Sequence, residues 1–262
     1  MILDGAASGA WNMAVDEALL VCHAADAAPP TVRFYDWQPA CVSVGRLQKL
    51  SDESGLNGAA IRERGFDIVR RPTGGRAVLH QHEITYSILI RMDFLPAGCR
   101  SVIGSYRWLS EGFAAGLRAL GIDATLAPSS VDAAPGIANC FSSAAQCDFL
   151  VAERKLIGAA QLRRNGAILQ HGSLLLEVDV AAWQDVFGGS MERAASLREL
   201  GVTAARPAII QALCSGLERA WQAGLQPGVL QAQEIGVASR LHTEKYAAGR
   251  WDCAGLERLL CS

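Results

Sequence analysis

Val69-Arg70-Arg71-Pro72-Thr73-Gly74-Gly75-Arg76-Ala77-Val78-Leu79-His80 sets two short runs around a Pro-Thr-Gly-Gly tetrad. Proline ends a ladder and paired glycines accept the positive φ of a tight reversal, so the stretch reads as two strands, Phe66 to Arg71 and Arg76 to His80, joined by the tetrad. Working outward, Ile84 to Ile90 is another strand, and residues 31–35 and 41–44 are two more around a Trp37-Gln38-Pro39 turn. Residues 148–152, 155–160, 166–170 and 173–178 read as four short strands with tight connections. Helices frame them. Asn12 caps one over Met13 to His23, with Asp16 and Glu17 in its first turn. Ser105 to Leu120 places Tyr106, Leu109, Phe113, Leu117 and Leu120 on one face and stops at Gly121. Pro207 opens a third over residues 207–223 that Gly224 closes. Hairpin-like strand pairs outnumber strand–helix–strand units, which predicts an α+β fold with a central, mostly antiparallel sheet flanked by helices.

The 262 residues suffice for a sizeable core, and 50% hydrophobic with 19% charged is the balance of a globular chain. A net charge of −2 argues against a protein held to nucleic acid by overall charge. Of the 24 basic side chains only Lys49, Lys155 and Lys245 are lysines, so a task that needs an amine has few candidates. Eight cysteines are scattered along the chain, with no CxxC pair and no zinc-like Cys/His spacing, so no metal is expected. The opening Met1 to Gly5, with no basic n-region and no long apolar segment, does not read as a signal peptide, and there is no run of 18 apolar residues, so the expectation is no membrane span and a reducing cytoplasm with free thiols. The small, polar Ala127 to Gly136 stretch reads as a loop, too short to divide a chain expected to be one domain over 1–262.

Three segments could carry chemistry. Arg70, Arg71 and Arg76 around Gly74 and Gly75 form either an anion-friendly turn or an ordinary hairpin with a solvated basic rim. Cys140, beside the loop, is either an accessible nucleophile or one more small buried hydrophobe. Lys155 opens an apolar strand; partial burial would depress its pKa and set its ammonium near a thiolate or carbonyl, unless it merely snorkels from the strand end. His171, at the next strand junction, is a base or a hydrogen-bonded structural residue.

Taken in this order, the segments resemble the lipoate–protein ligase A / biotin–lipoate ligase superfamily. Residues 70–80 look like its acyl-binding loop RRxTGGxAVxH, Lys155-Leu156-Ile157-Gly158-Ala159-Ala160-Gln161 like KxxGSAQ, and Ile168-Leu169-Gln170-His171-Gly172-Ser173 like ILQHGS. Weaker echoes are Asn12 to Leu19, Glu244-Lys245-Tyr246 and Trp251. The subgroup it resembles most is the cysteine-dependent octanoyltransferases of the LipM type, whose CF nucleophile motif precedes the lysine by fifteen residues, as Cys140-Phe141 precedes Lys155. The acidic residue eight after the cysteine is Asp148, which selects Cys140 over Cys147. Ala159 stands where the pattern has Ser.

The resemblance implies a biotin/lipoate ligase catalytic domain, related to class II synthetases, with its core over about 31–217 and no C-terminal accessory ligase domain. It implies transfer of octanoyl from acyl carrier protein to a lysine of a lipoyl-domain or glycine-cleavage H-type acceptor, with no nucleic acid, no membrane and no cofactor. Cys140 would be the acyl-thioester nucleophile, and Lys155 would lower its pKa and contact the oxyanion. Arg70, Arg71, Gly74, Gly75, Arg76, Val78, His80, Gly158, Gln161, His171 and Gly172 would bind substrate, the arginines meeting a phosphate or an acidic carrier. Burying seven methylenes would contribute at most about 5 kcal/mol. The alternatives are an ATP- and Mg-dependent lipoate–protein ligase, an amidotransferase moving octanoyl or lipoyl between carrier proteins, and a non-catalytic acyl-binding module.

Overall fold

The computed structural model describes residues 1–25, 28–48, 55–128, 140–142, 147–188 and 191–248. Asn139, Lys49, Trp251 and most of the Ala127–Gly136 loop lie outside the described residues. Along the chain the elements are β1 (Ile2–Ala7), α1 (Gly9–Ala24), β2 (Thr31–Trp37), β3 (Cys41–Val44), α2 (Gly58–Glu63), β4 (Asp67–Arg70), β5 (Val78–His80), β6 (Glu83–Arg91), α3 (Val102–Ala119), β7 (Thr125–Leu126), β8 (Phe149–Val151), β9 (Arg154–Arg164), β10 (Ala167–Leu175), α4 (Val180–Phe187), α5 (Arg206–Trp221) and α6 (Ala232–Leu241). A π-helical turn, His242–Tyr246, continues α6.

Seven strands form the main sheet in the order β1-β2-β6-β10-β9-β8-β7, and β4-β3-β5 form a small second sheet. Among the named strands of the described residues, β1/β2 and β3/β4 pair in parallel and the other pairs are antiparallel. The expected α+β fold with a mostly antiparallel sheet is therefore the fold observed. Its local connections differ in two places. The strands flanking the Gly-Gly turn are not a hairpin: β3 lies between them, parallel to β4 and antiparallel to β5. The four short strands expected over 148–178 are three. β9 runs unbroken through Gln161 to Arg164 and turns into β10 at Asn165 and Gly166, both at positive φ, the two-residue reversal that matches strand twist.

Alternation along the central strands sorts the core. On β6, Ile84, Tyr86, Ile88 and Ile90 pack with Leu109, Phe113 and Leu117 of α3 and Leu213 and Leu217 of α5. Leu89 of β6 and Leu169 of β10 turn the other way, onto Val15, Leu19 and Leu20 of α1. By the same period of two, Thr85, Ser87, His171 and Ser173 project on the α1 side, so the sheet carries a polar patch on one face. The small sheet packs Val42, Val44 and Leu79 on Trp183 and Phe187 of α4 and on Phe141.

The helix ends correct the sequence reading. α1 begins at Ser8, whose side chain accepts from the Trp11 amide. Asn12 lies inside the helix, buried, donating to the Asp36 carbonyl at 2.8 Å, and Asp16 and Glu17 are buried rather than first-turn surface charges. A cap-forming side chain satisfies whichever backbone group tertiary packing brings to it, and here that group belongs to β2. α5 carries Pro207 in its first turn but ends at Gln222, in the left-handed conformation, rather than at Gly224. β1, β7, α2, α4 and α6 were not anticipated from the sequence.

Candidate active site

A cavity of about 100 Å³ lies where the two sheets face each other. Gly158, Ala159 and Ala160 of β9, His171, Gly172 and Ser173 of β10, Thr85 of β6, and Tyr35 and Trp37 of β2 line it from the main sheet. Ser43, Val78 and His80 close it from the small sheet, with Met13 from α1, Arg71 and Gly75 from the turn, and Cys140, Phe141, Asp148 and Lys155 at one side.

Lys155 is buried at the start of β9, and its Nζ lies 3.4 Å from Cys140 Sγ, 3.1 Å from the Cys140 carbonyl oxygen and 2.7 Å from Asp148 Oδ2. The main chain fixes both partners. The Cys140 amide donates to the Ala77 carbonyl at 2.9 Å, which ties the half-buried cysteine to the end of the Gly-Gly turn. Asp148 Oδ1 accepts from the Ala159 amide at 3.2 Å. Gly158 leaves room for the lysine: a Cβ there would sit 2.7 Å from Lys155 Cε. Burial alone would lower the Lys155 pKa, as the sequence led us to expect. The Cys140 sulfur and Asp148 carboxylate outweigh it and hold the ammonium above its ordinary range. The result is a permanent cation aimed at one sulfur and one carbonyl.

The arginines of the turn do other work than expected. Arg70 is buried and its Nη1 donates to the carbonyls of Gly45 and Gln48 at 2.7 and 2.8 Å. Arg71, also buried, donates to Ser43 O, Gly74 O and Arg76 O, so it stitches the turn to β3. These two are therefore not a solvated rim. A guanidinium has five donors in a rigid fork, which suits it to gathering backbone carbonyls of an irregular loop. Gly75 closes that loop with a φ of 93°. Arg76 is half-buried. Gly74 is exposed, and neither it nor Gln161 is among the residues lining the cavity; Gln161 donates to Ser105 and to Gln170.

Both cavity histidines sit between a hydroxyl and a carboxylate. His171 is in the middle of β10 rather than at a junction, with Nε2 2.6 Å from Thr73 Oγ1 and Nδ1 3.1 Å from Asp16 Oδ2. His80 has Nε2 2.7 Å from Ser43 Oγ and Nδ1 2.7 Å from Glu83 Oε1, and Trp37 stacks on it at 4.1 Å. Asp16 is the centre of a buried hub: Arg33 Nη1, Tyr35 OH and Ser87 Oγ each donate to it at 2.9 Å. Burial would raise the Asp16 carboxyl, but the His171 hydrogen bond and the Arg33 charge outweigh it and hold the pKa low. Burial lowers the His171 pKa, against the pull of Asp16, so the ring is neutral at pH 7. Asp16, Arg33, Tyr35, Trp37, Thr73 and Glu83 were not among the site residues expected from sequence. The one local signal was Arg33, a charge amid Val32, Phe34 and Tyr35 in a strand-like run. The two terminal echoes also meet: Glu17 Oε2 accepts from Lys245 Nζ at 2.7 Å and from Tyr246 OH at 2.5 Å.

A two-sheet α+β scaffold with this Gly-Gly turn and this lysine strand is the catalytic domain of a known class. Residues 8–218 match the family described as lipoyl protein ligase A/B catalytic domain, and the chain belongs to it. Among its relatives is an octanoyltransferase LipM of Kyrpidia tusciae, 41% identical over 266 residues that cover 95% of this chain and 96% of the relative. Another is the octanoyltransferase LipM of Bacillus subtilis, 36% identical with 95% of each chain covered. Two solved structures share the fold. One is a lipoate-protein ligase A bound with ATP (TM-score 0.79, 23% identity, 97% of this chain and 96% of that one). The other is a bi-partite lipoate protein ligase from Thermoplasma acidophilum (TM-score 0.79, 22% identity, 97% and 95%).

Proposed function

We propose that this protein is an octanoyltransferase of protein lipoylation, which moves octanoyl from acyl carrier protein to a lysine of a lipoyl-domain or glycine-cleavage H-type acceptor through a thioester on Cys140. The observation that carries the reading is the Lys155 ammonium 3.4 Å from Cys140 Sγ at one side of the cavity. The relatives named octanoyltransferase support the acyl group.

The chemistry divides one slow aminolysis into two steps. The Cys140 thiolate attacks the octanoyl carbonyl carbon, a new carbon–sulfur bond forms, and the bond to the carrier's thiol breaks; the released thiolate takes a proton from solvent. The neutral amine of the acceptor lysine then attacks the Cys140 thioester. A carbon–nitrogen bond forms, the carbon–sulfur bond breaks, Cys140 returns as thiolate and the amine proton passes to water. An amide is more stable than a thioester, so the sequence runs downhill with no ATP or Mg²⁺ in this reading.

Lys155 favours the thiolate before attack and faces the negative charge that develops on the carbonyl oxygen; one such donor contributes about 3 kcal/mol in other acyl transfers. Asp148 holds the ammonium in place. Among the described residues no helix is long and apolar enough to cross a membrane, and six cysteines are free thiols. Thiol chemistry of this kind fits a reducing compartment, which we take to be the cytoplasm.

Intact-mass measurement with octanoyl–acyl carrier protein tests the reading. One octanoyl adduct is expected, released by hydroxylamine, mapping to Cys140 and missing in Cys140→Ala, which also loses transfer. Octanoyl amide formed by Cys140→Ala at the parent rate would remove the covalent route.

A further inference from the structure

A second cleft, of about 480 Å³, lies at the other end of β9 from Lys155. Arg46, Arg163, Arg164 and Lys245 line it together with the buried Arg70 and Arg71, and Glu17 is the one carboxylate among its described lining residues. That carboxylate is already answered. Arg164 Nη1 lies 3.3 Å from Glu17 Oε1, and Lys245 Nζ donates to Oε2 at 2.7 Å. Six cations against one satisfied carboxylate, in a chain whose net charge is −2, concentrate positive potential in one place. Arg46 is exposed, and its side chain meets no carboxylate among the described residues.

Apolar side chains continue the surface. Arg163 Nη1 donates to the Arg100 carbonyl at 2.9 Å and Nη2 to Ser105 Oγ at 2.6 Å, which ties the end of β9 to the start of α3. Val102 and Ile103, in the first turn of α3, are exposed. So is Phe94, on the segment after β6, where the Met92 amide donates to the Gly166 carbonyl of the β9–β10 reversal at 2.7 Å. A free phosphate or a nucleic-acid backbone would draw on the cations alone. Cations beside exposed apolar side chains suit a folded, acidic protein partner. The reach is also right. Gly158 lies against Lys155, and from it to Arg163 is five residues of strand, about 17 Å. An extended phosphopantetheine arm measures about 17 Å from phosphorus to sulfur. A carrier seated at this end of β9 can therefore present its thioester to Cys140.

We infer that this cationic cleft and its apolar flank are the docking surface for the acidic acyl carrier protein, with Arg46 and Arg164 among the side chains that recognise it. The inference rests on the octanoyl-transfer reading and adds to it the face on which the donor sits, a task the sequence assigned to Arg70, Arg71 and Arg76. The test compares the two protein substrates. Octanoyl amide formation by the parent and by Arg46→Glu/Arg164→Glu is followed while octanoyl–acyl carrier protein and the lipoyl-domain acceptor are varied in turn. The double variant should raise KM for the carrier about 10-fold at about 0.05 M salt, with kcat and KM for the acceptor within about 2-fold of the parent. The gap between the two proteins should narrow toward about 0.5 M salt, where exposed charges are screened. Arg46→Glu alone touches no ion pair and is the variant to read if the double variant does not fold; it should raise the carrier KM about 3-fold. Free phosphopantetheine should inhibit parent and variant alike. Inhibition of the parent alone would mean that the cleft reads the phosphate of the arm, and would overturn the protein surface. A folded variant with the parent's carrier KM overturns the docking surface and leaves the function intact, and a rise in the acceptor KM alone gives the surface to the acceptor instead. A parent that makes no octanoyl amide from the carrier overturns the functional reading and the surface with it.

Discussion

Lys155 and His171 are two buried bases in the wall of one cavity, each with a carboxylate in reach, and burial pushes both toward the neutral form. Their outcomes are opposite. Lys155 lies against the Cys140 sulfur and the Asp148 carboxylate, which outweigh burial, and its pKa rises. His171 shares Asp16 with Arg33 and Tyr35, lies in the field of Arg71 and His80, and its pKa falls. At His171 burial, with the Arg71 and His80 charges beside it, outweighs the pull of Asp16, so the ring is held as a neutral hydrogen-bonding spacer between Asp16 and the Thr73 hydroxyl of the turn. The difference teaches that what a buried base does here follows from the sum of the charges around it, since both have a carboxylate and only one is left without neighbouring cations. One end of the cavity keeps a charge beside a sulfur, and the other uses charge to fix the scaffold.

Removing the cation from each end separates the two roles. Arg33→Met takes the guanidinium from a fully buried Asp16, and breaking such a pair costs about 3–5 kcal/mol, to be seen as a lower urea midpoint. An unchanged midpoint would mean that the hub is not a structural pivot. Lys155→Met should slow formation of the octanoyl adduct about 10²–10³-fold near neutral pH, read by stopped-time mass analysis. Its rate should recover in part toward pH 9, since an ordinary thiol ionises near 8.5 without help. A pH–rate profile parallel to the parent's would deny Lys155 its part in making the thiolate.

The smallest effect is a slope. His171 binds its proton less readily folded than unfolded, so above about pH 6.5 neither state takes it up and its contribution to stability is fully present. As pH falls below that value the unfolded chain gains the proton first, and stability drops until the lowered folded value is passed. Asp16, also lowered, extends the loss below about pH 3.8. The urea midpoint should therefore fall between pH 6.5 and 5. His171→Gln should reduce that fall without abolishing it, because burial lowers His23 in the same way. A His171→Gln protein with the parent's full slope would place the titration elsewhere.

Much of the fold was legible because it is written locally. The period of two over Ile84 to Ile90, the helical face of Leu109, Phe113 and Leu117, and the reversal at Gly74 and Gly75 each follow from residues a few positions apart. The proposed nucleophile and its lysine were legible as spacing: fifteen residues between Cys140 and Lys155 in a familiar pattern. What those residues touch was not. Asp16 and Glu17 looked like ordinary first-turn acids because a window on α1 cannot show that Arg33 of β2 and Lys245 beyond α6 come to meet them. Arg70 and Arg71 looked like a surface rim because nothing in the turn reveals the carbonyls of Gly45, Gln48 and Ser43 above it.

The amino-acid sequence determined the residue types and the strand periods, and with them an α+β chain that sets a glycine turn, Cys140 and Lys155 in the order of its family. These depend on side-chain chemistry and on neighbours along the chain. Tertiary structure alone decided that the lysine gains a proton's hold while the histidine loses it, that the arginines face inward, and that Trp37 stands across the cavity from Cys140. Each is settled by charges and surfaces brought together from strands far apart in the chain, where Coulomb's law and excluded volume act on distance in space and not on position in sequence.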